Sequence, residues 1–599
     1  MPGIRDWIGE PLYFVSSYLD QFSADQYREK TLNFFTKNIT STEESKQWIP
    51  SFNSTPLDNI KCNSLVRFRC MVQDMFGPEL YYDVFDTENT ATGERKLLTG
   101  RYQDVTSENE NLNILHNSPV TKMSERHVFY CVPIPGETEW VKQGHQAMCM
   151  APDVSCSSAP SQGFKRSLED DVGEEMELQA TDDSSKRSRS APATEGSSVV
   201  TSQVQMNFPL PGETGPAALV KMYDDVGDKM KINDVIEVYG VISLDPSLVP
   251  VHTEDSEMLS AEEHKAHNPP PSLVPRIHAI YVNKIQTSNP LLPASIDNSS
   301  QELAAIKTEA CEIRENLLGL LEHALHGDKL CAEYMLLHLL SSVYMRRDTI
   351  AVGKFSLNIT GVNANEQLLV NSLVELIQQF VATSYYLPMS LDNLNKLKFT
   401  PVKDYDSDRL VSGVLQLPNR CHLILDETVM QPGQLDVAGV KNLEALGNLV
   451  RWQKVKYDFK YSNPEFETDV PVICLSEGKS LLNFDSTVPL QIENSLNLKS
   501  RLEAIKTYLS PALLDKIRIY LTLIPRLNYE ISEEMTQMAQ EDFVKTRQAN
   551  KDAMTPEDFQ SLLVVSRLLS LSCGLSNLSA DVWAKAKVLE ECRKSRLPK

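Results

Sequence analysis

The chain has 599 residues and a mass of 67.4 kDa, a length that predicts about three to five domains. It is 41% hydrophobic and 23% charged, enough apolar material for several cores, which excludes global disorder. The formal net charge is −23, from 58 Lys+Arg against 81 Asp+Glu. Phosphate recognition needs a basic face, so this balance argues against a nucleic-acid binder and suits protein partners.

No run of 18 apolar residues occurs, which argues against a membrane-spanning helix. The first 25 residues carry Asp6 and Glu10 and lack a basic-then-apolar layout, which argues against a secretory signal. Eleven cysteines form no CxxC, and the closest pairs stand seven or more residues apart. That is neither a zinc pattern nor a disulfide framework, and it points to a reducing compartment, cytosol or nucleus.

Residues 1–60 predict short helices around Phe14–Phe22 and Tyr27–Phe35. Strand signals begin at Ser64–Gln73, where Val66, Phe68 and Cys70 alternate with Arg67 and Arg69. Phe68 is expected to point inward and the two arginines into solvent, so they do not form a nucleic-acid face. Leu80–Phe85 and His127–Pro133 read as further strands. Residues 151–205 are rich in Ser, Ala, Asp and Glu with almost no aromatics, and are expected to be a disordered linker. Strands resume at Ala218–Tyr223, Val235–Leu244 and Arg276–Ile285, interrupted by a polar insert at 251–271. This half predicts one β-rich, OB-like domain, 61–150 with 206–290, behind an N-terminal helical segment, 1–60. Two half-sheets left apart would expose edges, so pairing them is favoured.

From residue 300 helices alternate with strands. Gln301–His326 and Lys329–Met345 read as helices, Phe355–Ile359 as a strand, and Glu366–Ala382 as an amphipathic helix with Leu369, Leu373, Leu376, Ile377 and Phe380 on one face. Cys421–Leu425 and Val470–Leu475 read as buried strands. Helices are predicted over Leu502–Ile524, Glu533–Ala549, Pro556–Leu571 and Ala580–Arg593. The pattern implies an α/β domain over 300–500 and a helical lid over 501–599, and so an α+β multidomain chain.

The sharpest chemical motif is the apolar strand ending in Asp426-Glu427. P-loop ATPases hold magnesium and orient a water this way, although strands often end in acids. About 60 residues upstream, a strand leads through Thr360-Gly361 into a helix, where a phosphate loop would sit. The loop chemistry needs G-x-x-x-x-G-K-[ST]. Here the octet starts at Gly361, but Glu366 replaces the second glycine, Gln367 the lysine and Leu368 the hydroxyl residue. The framework is present and its nucleotide chemistry is missing. No nucleophile elbow, HExxH or EF-hand loop occurs, so no catalytic residue, cofactor or metal is assigned.

The 151–205 segment carries two basic clusters, Lys165-Arg166 and Lys186-Arg187 with Arg189, which fit nuclear import. Ser167, followed by acids, fits an acidophilic-kinase site.

The stretches Ser64–Phe76, His127–Val141, Asn207–Val220, Pro271–His278, Asp404–Thr428 and Arg518–Leu523 resemble the MCM-binding family of eukaryotic replication factors. A second, more distant resemblance is to the ATPase half of the MCM helicase subunits, over Gly327–Leu340, Leu423–Glu427 and Met554–Leu562. Where those subunits place a nucleotide-contacting arginine in the lid, Glu557 stands here, and no Ser-Arg-Phe triplet occurs. The resemblance implies a degenerate, AAA+-like pseudo-ATPase half. It also implies a nuclear, non-enzymatic protein that binds MCM subunits, handles MCM complexes before loading and promotes their removal from replicated chromatin, with a link to sister-chromatid cohesion. Two alternatives remain: a working AAA+ ATPase that remodels MCM rings, favoured by Asp426-Glu427, and a single-strand DNA binder using the N-terminal barrel.

Overall fold

The computed structural model describes residues 6–23, 26–41, 43–90, 92–104, 112–116, 118–149, 206–244, 267–296, 301–347, 350–363, 367–492, 498–549 and 554–597. The expected linker 151–205, with Lys165, Arg166, Ser167, Lys186, Arg187 and Arg189, lies outside them, as do Glu366 and most of the polar insert.

The first half is a sheet of eight strands: β1 (Leu65–Met75), β2 (Glu79–Asn89), β3 (Arg95–Thr99), β4 (Leu112–Ile114), β5 (Lys122–Val132), β6 (Ala218–Tyr223), β7 (Val235–Ser243) and β8 (Arg276–Lys284). Neighbours run β1-β7-β8-β6-β5, and β5 pairs again with β1, so five strands close into a ring. β6 and β8 are parallel and the other pairings antiparallel. The ring therefore draws strands from both sides of residues 150–206. Its interior takes every second residue of β1 (Val66, Phe68, Cys70, Val72), packed with Phe129, Val220, Ile236, Val238 and Ile277.

The outer face of the same strands is also covered. Val15 of the helix Pro11–Gln21 and Phe35 and Ile39 of the helix Tyr27–Thr40 join Leu65, Tyr239 and Val241 in a second cluster. Arg67 and Arg69, expected in solvent, are each only 6% exposed. Arg67 pairs with Glu237 and Arg69 with Glu137, whose carboxylate lies 3.0 Å away. Alternation fixed which face they occupy, and other elements then buried that face.

The second half carries a hairpin, β9 (Met345–Arg347) with β10 (Ile350–Val352), then β11 (Leu357–Thr360) and β12 (Ser384–Pro388). A hairpin of β13 (Val402–Asp404) and β14 (Arg409–Val411) precedes β15 (His422–Asp426). The pair β16 (Lys454–Lys456) and β17 (Glu465–Glu467) precedes β18 (Val472–Ser476) and β19 (Ser486–Pro489). Five of these form a fully parallel sheet, β12-β15-β18-β11-β19. Every residue of β15 and β18 is buried, as a parallel sheet covered on both faces requires. On one face lie Leu317, Leu337, Leu373, Ile517 and Leu568 from five helices, and on the other Leu446 and Leu449 of the helix Val437–Trp452.

Two expected helices differ in extent. The helix from Lys329 ends at Leu340, not Met345, because Ser341 and the turn into the β9–β10 hairpin take over. The run Leu502–Ile524 is two helices, Leu498–Tyr508 and Pro511–Leu523, divided where Ser510 caps the second and Pro511 opens it. The helices Glu533–Ala549, Pro556–Ser572 and Ala580–Arg596 complete the chain.

The ring packs directly on the parallel-sheet half. Gln73 of β1 donates Nε2 to the Leu410 carbonyl (2.9 Å), and Gln416 donates back to the Gln73 carbonyl (2.8 Å). Trp140 donates Nε1 to the Val381 carbonyl at 3.1 Å, while the Arg518 guanidinium lies 4.0 Å from its ring centre.

A closed phosphate-loop edge as the candidate functional site

β11 and β15 are separated only by β18, so the loop after β11 and the acids ending β15 meet at the carboxyl edge of the sheet. Open α/β sheets bind ligands at that edge. Here its polar groups are engaged with one another.

Asp426 is fully buried. Its Oδ1 accepts from the Thr428 main-chain N (2.9 Å) and from Thr428 Oγ1 (2.6 Å). Its Oδ2 accepts from the Tyr386 hydroxyl at 2.6 Å. Burial and the bond to Asp426 push the Tyr386 phenol up, so it remains a donor. A magnesium ion would have to displace these donors. Glu427 accepts from Ser480 Oγ at 2.7 Å, and burial pushes its carboxyl up.

The loop amides are engaged too. Gly361 N donates to the Glu477 carbonyl (3.2 Å) and Val362 N to that of Ser476 (3.1 Å), both at the end of β18. Gly361 sits at φ +83, which explains glycine at that turn. At the lysine position Gln367 opens the helix Gln367–Phe380 and donates Nε2 to Thr428 Oγ1 at 3.2 Å. Leu368, at the hydroxyl position, is 45% exposed and offers no ligand. Glu557 lies in the first turn of the helix Pro556–Ser572, exposed beside a capping box made by Thr555 and Asp558.

The structure thus brings Gly361, Gln367, Asp426 and Glu427 to one edge. Sequence reading missed the residues that close it, Thr428, Tyr386 and Ser480. Only Thr428 carried a signal, an acid two positions before a hydroxyl residue, which favours a local side-chain turn. Among the described residues no group of three or more His, Cys, Asp or Glu is placed to hold a metal ion.

Sequence reading also missed a buried ionic cluster in the first half. Arg126 forks onto Glu79 (3.0 and 3.1 Å), Lys221 reaches Asp104 (2.8 Å), and His278 lies 3.4 Å from Asp104. Burial alone would push Asp104 up. Lys221, Arg126 and His278 outweigh it and hold that carboxyl well below its ordinary value. These acids and bases are mutually paired, the arrangement of a structural tie.

The fold is a five-stranded parallel sheet, its carboxyl edge bonded internally, joined to a closed ring of strands. The mini-chromosome maintenance replisome factor family model matches residues 35–597, and the chain belongs to that family. Curated relatives named mini-chromosome maintenance complex-binding protein are similar along the whole length. The Danio rerio protein is 42% identical over 624 residues, covering 100% of this chain and 98% of the relative. The Homo sapiens protein is 40% identical over 635 residues with the same coverage. The Drosophila melanogaster protein is 33% identical over 595 residues, covering 96% of each.

Proposed function

We propose that this protein is a non-enzymatic partner of the MCM complex in DNA replication. The binding half of that reading is supported by the relatives' names, at about 40% identity across the chain. The non-enzymatic half is carried by one observation: both carboxylate oxygens of Asp426 are held by Thr428 and Tyr386. The mechanism is mimicry. The parallel-sheet half is an AAA+-like pseudo-ATPase with a helical lid, resembling an MCM subunit without its phosphate-binding groups. It occupies the face where a true subunit would dock and so releases or chaperones subunits without hydrolysis. The strand ring is OB-like and serves as a protein-binding platform. Nuclear import through Lys165, Arg166, Lys186, Arg187 and Arg189, unloading from replicated chromatin and support of cohesion belong to the same reading.

The test is a pull-down of individual MCM subunits by the full-length chain and by the Asp426→Asn, Glu427→Gln double variant, alongside calorimetric titration with Mg-ATP. Equal capture is expected, with any ATP heat the same in both proteins and so independent of Asp426 and Glu427. Capture that requires ATP and is lost in the double variant would replace this reading with the remodelling ATPase.

A further inference from the structure

A separate site lies at the opposite, amino edge of the parallel sheet. A cleft of about 530 Å³ opens between the strand ring and the parallel-sheet half. That is within the ordinary range for small-molecule sites, which favour domain interfaces. Arg420 and His422, at the start of β15, line it from below, Arg526 from the helical part, and Lys284 from β8.

The charge in this cleft is unbalanced. Lys284 is neutralised by Asp234 at 2.7 Å. Of three guanidiniums in and behind the cleft, only Arg420 faces a carboxylate. Arg420 stands 3.8 Å from Asp469, whose Oδ1 also accepts the Val343 amide. Arg526 bonds only neutral groups, the side chain and main chain of Gln286. Arg567 is 4% exposed and lies 4.0 Å from the ring centre of Tyr344, itself a wall of the cleft. Its Nε and Nη1 have no hydrogen-bond partner. Burial lowers both Arg526 and Arg567, and Arg420 adds to the lowering in each, so both feel the Arg420 charge.

Two further observations point to a ligand. His422 is 4% exposed, lines the cleft, and has no partner at Nδ1. Arg420 holds φ +69 and Asn233, across the cleft, φ +71. Left-handed backbone is uncommon for non-glycine residues and collects at functional sites. An unpartnered buried polar atom is costly, and an anion in the cleft would give His422 Nδ1 a partner.

We propose that this cleft binds a small phosphate-bearing anion through Arg420 and Arg526, with His422 donating from within and Arg567 supplying charge from behind Tyr344. Phosphate matches the planar fork of a guanidinium, and local cationic excess in a chain of net charge −23 selects for it. The site is separate from the phosphate-loop edge, since Asp426 lies at the other end of β15.

The experiment titrates the full-length protein calorimetrically with inorganic tripolyphosphate and, separately, with ATP. Both are expected to bind, and Arg526→Gln is expected to weaken both by about tenfold or more, the loss of a charge-assisted contact. Arg420→Gln gives the same loss, while Lys396→Gln, an exposed position beyond the carboxyl end of β12, leaves affinity unchanged. Equal affinities mean that the phosphate chain alone is read. Tighter ATP means that the nucleoside adds contacts. In the unaltered protein, hydrogen exchange should slow around Arg420–His422 on adding tripolyphosphate, which tests the site even if a variant misfolds. No binding of either probe, binding unchanged in both arginine variants, or protection confined elsewhere overturns the proposal. ATP binding lost in Asp426→Asn, Glu427→Gln but retained in Arg526→Gln overturns it together with the closed-edge reading. Loss only in the arginine variants supports the cleft and leaves that reading intact.

Discussion

Gln367 Nε2 donates to Thr428 Oγ1 across 3.2 Å, and that hydroxyl donates in turn to Asp426 at 2.6 Å. The residue at the lysine position of the would-be phosphate loop is thus linked through one threonine to the acid at the magnesium position. The helix that follows β11 and the end of β15 are fastened to each other. Restoring the missing side chains is therefore not enough to restore the site. The Gln367→Lys, Leu368→Ser double variant is expected to gain no Mg-ATP affinity over the unaltered protein by calorimetry, because the Gly361 and Val362 amides remain bonded to β18. A micromolar site present in that variant and absent from the unaltered protein would count against the closed edge.

Thr428→Val removes the hydroxyl that joins both partners. Asp426 keeps the Thr428 amide and Tyr386 but loses one buried donor, and Gln367 loses one acceptor. Unmet buried polar groups cost about 1–3 kcal/mol, so the urea midpoint should fall by that equivalent with the slope unchanged. An unaltered midpoint would show that the linkage contributes nothing to stability.

Gln73→Ala removes one side-chain tie between the strand ring and the β13–β14 hairpin. The Gln73 side chain is fully buried, donates to the Leu410 carbonyl and accepts from Asn207, while the bond from Gln416 goes to its main-chain carbonyl and is kept. A loss of about 1–3 kcal/mol is expected. Combined with Asn207→Ala, which shares the Leu410 acceptor, the effects should be non-additive. Simple additivity in a double-mutant cycle would mean that the two amides do not act as one network.

The helix Gln367–Phe380 was legible because Leu369, Leu373, Leu376, Ile377 and Phe380 repeat at helical spacing, and all five are buried. β15 and β18 were legible as apolar runs. β9, β10, β13 and β14 were not, because three residues carry no period and their pairing depends on turn geometry. Arg67 and Arg69 were misplaced because alternation reports a face, while burial depends on what packs over it. Four positions of the edge, Gly361, Gln367, Asp426 and Glu427, could be named from motif and spacing. Its closure could not, since Tyr386 and Ser480 reach it from β12 and from beyond β18, and nothing in the linear pattern says that those strands flank it.

The last prediction concerns acid. His278, His338 and His422 are at most 4% exposed, and burial is the first cause lowering each of them. For His338 the lowered value is about 4; its Nδ1 faces the Phe355 carbonyl at 2.9 Å and so carries the proton of the neutral ring. Asp104 opposes the lowering at His278 without cancelling it. A depressed histidine pKa means that the unfolded chain binds more protons than the native one below about pH 6.5. Stability is then complete above that value and falls as pH drops toward the folded pKa values. Each histidine contributes a slope of up to about 1.4 kcal/mol per pH unit, so three give about 4 kcal/mol per unit where their windows overlap. Asp104 and Glu79, both held low by their cationic partners, act in the same direction below about pH 4.5. Glu213, raised by burial to about 7, and Glu427 and Asp469, also raised by burial, act in the opposite direction and offset part of that slope. Urea midpoints measured from about pH 7.5 down to pH 5 should be flat at first and then decline with a slope below the three-histidine limit. His338→Gln retains a donor for Phe355 but cannot titrate, so its profile should lose one proton's slope. A midpoint that stays level to pH 5, or a His338→Gln profile parallel to the unaltered protein, would show that these rings are not the groups on which native stability depends.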